Sequence, residues 1–304
     1  MGYYYITDSM YVYMLCAIYM EVSMVVLSLF DGIACGKVAL ERAGIHVDKY
    51  YSCEVKTYAI KCAKANHPDI IHVGRIENWK DWIHTIETPD LIIGGSPCQG
   101  FSSSGKQEAF DDRNSVLFYT FADIVKYVQS VNPVVKFLME NVQMHNVYVG
   151  VINYILGVKA IQINSALVSA QERKRLYWCN WSVPCQPEDK HIMLYDVLDK
   201  TRNWYPLKGW MHKENQKGDV RSDRLRSVVS DKAFCITAHK THPQNHYLSE
   251  DGTRMTYLTV PEIEKLQTLP EGYCSMLSEA EAFDVVGNGW TVDVIVHLLK
   301  YMNQ

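Results

Sequence analysis

Pro89-Asp90-Leu91-Ile92-Ile93-Gly94-Gly95-Ser96-Pro97-Cys98-Gln99-Gly100-Phe101-Ser102 is the stretch around which the rest of the chain is organised. Leu91 to Ile93 is a short apolar run, which predicts a strand buried on both faces of a parallel sheet. Gly94 and Gly95 let the backbone turn and leave room for close approach. Pro97 stiffens the turn, and Cys98 falls just past the strand's carboxyl end. Ligands bind at that edge in open α/β sheets. A lone free cysteine is most often a small buried hydrophobe. An unpaired thiol on this loop is instead placed to act as a nucleophile, and the surrounding chain decides between the two.

Working outward, Val25 to Phe30 predicts the first buried strand. It is followed by the glycine turn Asp31-Gly32-Ile33-Ala34-Cys35-Gly36 and a helix from about Lys37 to Ala43. Strand, glycine turn and helix open a nucleotide-binding, doubly wound sheet. Tyr50 to Cys53 predicts a second strand with Glu54 at its end, where an acid can accept hydrogen bonds from ribose hydroxyls; a solvated helix cap is the plainer alternative. Further strands are expected at Ile70 to Val73, Val134 to Met139, Ile161 to Ala166 and Leu176 to Trp181. Helices are expected at Val55 to Ala65, Ser115 to Tyr127 and Val147 to Leu156. The polar loop Phe101 to Arg113 has no period, and long loops of this kind are usually functional or disordered. From Ser182 to Tyr257 the strand–helix alternation stops and Lys and Arg accumulate, which predicts a small lobe with a positive face. A helical pattern resumes at Val260, and Gly287-Asn288-Gly289-Trp290-Thr291 leads into a last helix.

Composition limits the partners. The chain has 304 residues, 48% of them hydrophobic, and a net charge of −4, so any nucleic-acid contact must come from a local basic patch. Its nine cysteines contain no Cys-x-x-Cys, which argues against a structural zinc site and for reduced thiols. The tyrosine-rich leader 1–24 has an apolar stretch too short to span a bilayer and lacks the basic start of a signal peptide. It is expected to lie outside the fold, so that a chain beginning at Met24 keeps full activity.

Five signals now fall in order: Phe30-Asp31-Gly32, Glu54, Pro97-Cys98-Gln99, Glu140-Asn141-Val142 and Gln171-Glu172-Arg173-Lys174-Arg175, closed by Gly287-Asn288-Gly289. From Val25 to Tyr301 the sequence resembles the cytosine carbon-5 DNA methyltransferases, with glycine at 289 where that family has serine. The resemblance implies a Rossmann-like, mostly parallel α/β catalytic domain over 25–181, a target-recognition lobe over 182–257, and a C-terminal segment, 258–304, returning to the first. It implies S-adenosylmethionine held by Phe30, Asp31, Gly32, Ile33, Glu54, Val55, Ile76, Pro97, Leu117, Asn288, Gly289 and Trp290. Catalysis falls to Cys98, Glu140, Arg173 and Arg175. DNA would be met by Gln99, Ser102, Ser104, Lys106, Arg113, Arg221, Arg224, Lys240 and Arg254. One position departs from the family: Arg75 stands where an acidic residue usually contacts the adenine amine, and an arginine cannot accept a hydrogen bond. Glu77 is the nearest substitute.

The implied chemistry is addition of the Cys98 thiolate to carbon 6 of cytosine, which makes carbon 5 nucleophilic. Arg173 and Arg175 would supply positive charge and Glu140 would hold the base's pairing edge. The base must leave the duplex first. The expected protein is a bacterial or phage-encoded cytoplasmic monomer acting on duplex DNA in restriction–modification or related DNA methylation, without metal or membrane. Two alternatives share much of the sequence logic: a transfer-RNA cytosine methyltransferase, and a catalytically weak DNA-binding homologue.

Overall fold

The computed structural model describes residues 24–97, 113–207 and 226–302. The leader 1–23, the loop containing Cys98, Gln99, Ser102, Ser104 and Lys106, and the segment containing Arg221 and Arg224 lie outside the described residues, as does the side chain of Arg113.

In chain order the first half runs β1 (Val25–Leu29), α1 (Cys35–Arg42), β2 (Lys49–Cys53), α2 (Thr57–Asn66), β3 (Ile71–Gly74), a helical turn α3 (Trp79–Trp82), β4 (Leu91–Gly95), α4 (Arg113–Val131), β5 (Lys136–Val142) and α5 (Asn146–Leu156). It continues with β6 (Ile161–Asn164) and β7 (Lys174–Cys179). These strands form one seven-stranded sheet in the order β3-β2-β1-β4-β5-β7-β6. β1 to β5 pair in parallel, whereas β7 runs antiparallel to both β5 and β6. The order reverses between β1 and β4, which leaves a crevice at their carboxyl ends.

The strands are apolar runs because both faces are covered. On one face Val26, Leu91, Ile93 and Leu138 pack with α1, α2 and the C-terminal helices. On the other, Leu27, Leu29, Ile92, Phe137 and Met139 pack with Phe118, Phe121, Ile124 and Val125 of α4 and Ile152 of α5. Met24, the last residue of the expected leader, belongs to the fold: it is buried, and its amide donates to Asp48 Oδ2 at 2.8 Å. The strand expected over Ile161 to Ala166 stops at Asn164, whose side-chain Oδ1 caps a tight turn by accepting from Ala166 N.

The remaining elements are α6 (Leu194–Val197), β8 (Tyr205–Pro206), β9 (Arg226–Ser227), β10 (His246–Leu248), β11 (Arg254–Tyr257), α7 (Val260–Leu266), α8 (Glu279–Asn288) and α9 (Val292–Leu299). The stretch expected to be irregular carries a small sheet, β8-β11-β10-β9. Its own apolar cluster is small, Met255 with Leu207, Leu248 and Tyr257. Leu194, Ala233, Ile236, Tyr247 and Leu258 of the same stretch join the main core instead. The buried Arg202–Glu262 ion pair also ties this stretch to α7. The small lobe is therefore built onto the main core rather than folded apart from it. The apolar run from Glu279 to Leu299 breaks at Gly289 to Thr291 into α8 and α9, which pack over the sheet.

Candidate active site

The turn after β1 is strained and then tied down. Phe30 and Ala34 adopt positive φ, 57° and 62°, with Gly32 between them at 60°. Such conformations cost about 1–3 kcal/mol each for a residue with a Cβ and persist only where neighbours enforce them. The amide of Asp31 donates to Cys53 O at 3.1 Å, and that of Gly32 to Glu54 Oε2 at 2.8 Å. The other oxygen of Glu54 accepts from Val55 N at 2.6 Å and Lys56 N at 2.9 Å. Glu54 thus fastens the end of β2 to the turn leaving β1. The carbonyl of buried Ile33 accepts from Tyr273 OH at 2.7 Å.

Asp31 is buried beneath this turn. Its Oδ1 accepts from Ser28 Oγ at 2.6 Å and Tyr50 OH at 2.7 Å, while Oδ2 has no protein partner. Burial pushes its carboxyl up to about 6, against the pull of those hydrogen bonds. Ile76 is buried at the turn after β3, Leu117 is partly buried on α4, and Val55 is exposed. Arg75 pairs with Glu77 at 2.9 Å on the surface, so the residue nearest to replacing an acid at 75 is itself engaged by Arg75.

The second half of the site lies at the ends of β4, β5 and β7. Glu140 is buried and bridges two partners: Oε1 is 3.1 Å from Arg175 Nε, and Oε2 accepts from Trp290 Nε1 at 3.1 Å. The indole and carboxylate close directly over Gly95, where an added Cβ would stand 3.0 Å from Trp290 Nε1 and 3.1 Å from Glu140 Oε2. Next to Glu140, Asn141 Nδ2 donates to Ser96 Oγ at 3.1 Å, and Asn141 Oδ1 accepts from Val142 N at 2.8 Å. Asn141 therefore fixes the chain two residues before Cys98. Pro97 is the last described residue on that side.

The two arginines of the basic cluster do different things. Arg175 faces Glu140. Arg173 is buried and turns to the C-terminal glycine motif, its Nη2 donating to Gly289 O at 2.8 Å and Gly287 O at 3.1 Å. Both reach Cys235 Sγ, from Arg173 Nη1 at 3.2 Å and Arg175 Nη2 at 3.6 Å. Asn288 Nδ2 donates back to Asp284 O at 2.9 Å.

The structure thus gathers Phe30 to Ile33, Glu54, Pro97, Glu140, Arg175 and Trp290 along the sheet edge where the parallel strands end and the antiparallel β7 begins. Lys240 and Arg254 stand apart on the small lobe. Lys240 pairs with Glu279 at 2.6 Å, and the Arg254 guanidinium lies over Trp204, 5.4 Å from its ring centre. Sequence reasoning missed Cys235, Tyr273 and the hydrogen bond from Trp290 to Glu140, all of which depend on contacts between distant parts of the chain.

Comparisons with known proteins agree with this geometry. Residues 24–146 match the family model for C-5 cytosine-specific DNA methylase. The chain is 26% identical over 301 residues to the type II methyltransferase M1.ScrFI of Lactococcus lactis subsp. cremoris, covering 86% of this chain and 74% of that protein. It is 26% identical over 304 residues to the type II methyltransferase M.NlaX of Neisseria lactamica, covering 91% of this chain and 95% of that protein. Among solved structures, S. pombe Dnmt2 methyltransferase superposes with a TM-score of 0.68 at 19% identity, over 92% of this chain and 98% of that one, which is a likeness of fold. The family-model match over residues 24–146, relatives that span most of the chain and the motifs gathered at one sheet edge together support the C5 cytosine methyltransferase family for this chain.

Proposed function

We propose that the protein transfers a methyl group to carbon 5 of a flipped-out cytosine in duplex DNA, through a transient bond between Cys98 and carbon 6. The observation that carries this reading is the buried carboxylate of Glu140, held between Arg175 and Trp290. It adjoins a residue, Asn141, that secures the loop leading to Cys98. A carboxyl group so fixed can grip the ring nitrogen and exocyclic amine of a base, and Arg175 beside it can stabilise charge developing on the ring. Cys98 forms the bond to carbon 6, and its later expulsion restores aromaticity once the proton on carbon 5 has left to a base such as water.

The turn after β1 fits an amino-acid-bearing nucleoside. Asp31 leaves one buried oxygen without a protein partner, and Glu54 stands at the end of β2 with its carboxylate oriented by three amides. Phe30, Asp31, Gly32, Ile33, Glu54 and Trp290 are the residues that would hold S-adenosylmethionine. That cofactor, when bound, supplies an electrophilic methyl group. Arg75 in place of an acid predicts weaker hold on its adenine. Lys240, Arg254, Arg221 and Arg224 are the proposed phosphate and base contacts.

The test is covalent trapping. Duplex DNA carrying 5-fluorocytosine cannot lose the substituent on carbon 5, so an active protein accumulates as a denaturation-resistant adduct. The adduct should form with the wild-type protein and S-adenosylmethionine and be absent in Cys98→Ala. Methyl transfer to transfer RNA but not to duplex DNA would overturn the choice of substrate. Tight DNA binding with no adduct and no transfer to either would make the protein a binding homologue.

A further inference from the structure

One titratable group beside Arg175 has no part in the chemistry above, the thiol of Cys235. The backbone around it is fastened on both sides. Ala233 N donates to Ala170 O at 2.7 Å and Glu172 N to Ala233 O at 2.9 Å, which makes a parallel bridge to the chain just before β7. Beyond Cys235, Ile236 N donates to Gln171 Oε1 at 2.9 Å. Gln171 is fully buried and is anchored through its Nε2 to Leu266 O at 2.8 Å. The segment carrying the sulfur therefore has little freedom to move relative to the basic cluster.

The sulfur completes a frame around Arg175. Nε faces Glu140 at 3.1 Å, Nη1 donates to Lys174 O at 2.9 Å, and Nη2 donates to Cys235 Sγ at 3.6 Å. A guanidinium is a rigid plane of donors, so partners on three sides set its orientation as well as its position. Arg173 Nη1 donates to the same sulfur at 3.2 Å. Burial pushes the Cys235 thiol up, but the two guanidiniums outweigh it and the net direction is down, which favours an anionic acceptor there. The Glu140 carboxyl and the Cys235 sulfur then face the two arginines in a partly dry site. With both guanidiniums on it, this sulfur is an acceptor and not a second nucleophile.

We propose that Cys235 is a positioning residue for methyl transfer: its sulfur holds Arg175 in the plane that keeps Nε on Glu140, and so makes the readiness of that carboxylate depend on how the small lobe is docked. The inference rests on the proposed methyltransferase reading and adds a residue that lies outside its motifs.

The experiment compares the full chain with Cys235→Ala and Cys235→Ser in steady-state methylation of duplex DNA, alongside urea unfolding of each. Loss of one hydrogen bond to a charged group predicts a fall in kcat of about 10- to 100-fold in Cys235→Ala. KM for DNA and the affinity for S-adenosylmethionine should stay within about threefold, a small fraction of the free energy at stake in the turnover step. Cys235→Ser keeps an acceptor and should recover most of the lost kcat at the same unfolding midpoint. If the wild type methylates DNA while Cys235→Ala turns over at the same rate, the positioning role is overturned and the functional reading stands. A loss of kcat that tracks a lowered unfolding midpoint and is not rescued by serine makes the cysteine merely structural and also overturns it. If the wild type itself methylates nothing, the functional reading fails and the inference falls with it.

Discussion

Gly287→Ala should be among the costliest single-methyl additions in this protein. A Cβ built at Gly287 would stand 2.6 Å from Ala238 N, 2.6 Å from Thr237 C and 2.8 Å from Ala238 Cα. All three are backbone atoms, so no side chain can swing aside. Either α8 or the segment 237–238 must move. Overpacking of this kind costs about 1–3 kcal/mol. Gly287 is also helical, and replacing glycine with alanine in a helix returns up to about 1 kcal/mol. Gly150, on the exposed face of α5 with nothing within 4 Å of its Cβ, isolates that second effect. Gly150→Ala should therefore raise stability by about 0.5–1 kcal/mol, and Gly287→Ala should lower it by up to about 2 kcal/mol. Urea unfolding of both, with the slope unchanged and the midpoint displaced in opposite directions, is the assay. Equal midpoints for the two variants would refute the argument from close approach. Gly287→Ala should also slow turnover more than its stability loss explains, because the Gly287 carbonyl anchors Arg173.

Glu140→Gln keeps an acceptor for Trp290 but replaces the anion facing Arg175. It should cut single-turnover methyl transfer by about 10²–10⁴-fold with cofactor affinity little changed, and an equal loss in both would indicate a structural role. Replacing Arg221 and Arg224 together with alanine should lower the slope of log binding constant against log salt by about 1.8, two phosphate contacts' worth, and an unchanged slope would place the DNA elsewhere. For Asp31, burial raises the folded value from 3.8 to about 6, so between those pH values the native state holds a proton that the unfolded chain has released. Its contribution to stability is fully present below pH 3.8 and lost as pH rises through about 6. Asp31→Asn removes that dependence: wild-type stability relative to the variant should fall by up to about 3 kcal/mol from acid to neutral pH, read as urea midpoints across the range. A constant difference would show that the carboxyl is not shifted.

The first half of the fold was legible because buried parallel strands are written as short apolar runs. Val25 to Leu29, Leu91 to Ile93 and Phe137 to Met139 each announce themselves, and the turn residues behind them mark the ligand edge. What escaped was whatever depends on distant pairing. Nothing near Leu176 says that β7 runs against β5, since an apolar run has no direction. Trp290 reads as a cofactor contact, yet its indole also holds a carboxylate 150 positions earlier in the chain. Cys235 sits in the short apolar run Ala233 to Ile236, whose neighbours in sequence give no hint of the arginines it meets. The sheet of the small lobe escaped because its strands are only two to four residues long, too short to show a period, and the apolar side chains, ion pair and backbone bridge that bind it to the core are scattered along the sequence.

The Arg173 knot has a consequence for biosynthesis. Its guanidinium is satisfied by the carbonyls of Gly287 and Gly289, and Glu140 takes its second hydrogen bond from Trp290. Every residue of the central strands leaves the ribosome long before these partners do. A nascent chain can thus assemble its sheet while the Glu140 carboxylate still lacks its indole and the buried arginine still lacks its acceptors. The site would be complete only with the last helices, so that an unfinished copy of the chain has the scaffold but not the finished pocket.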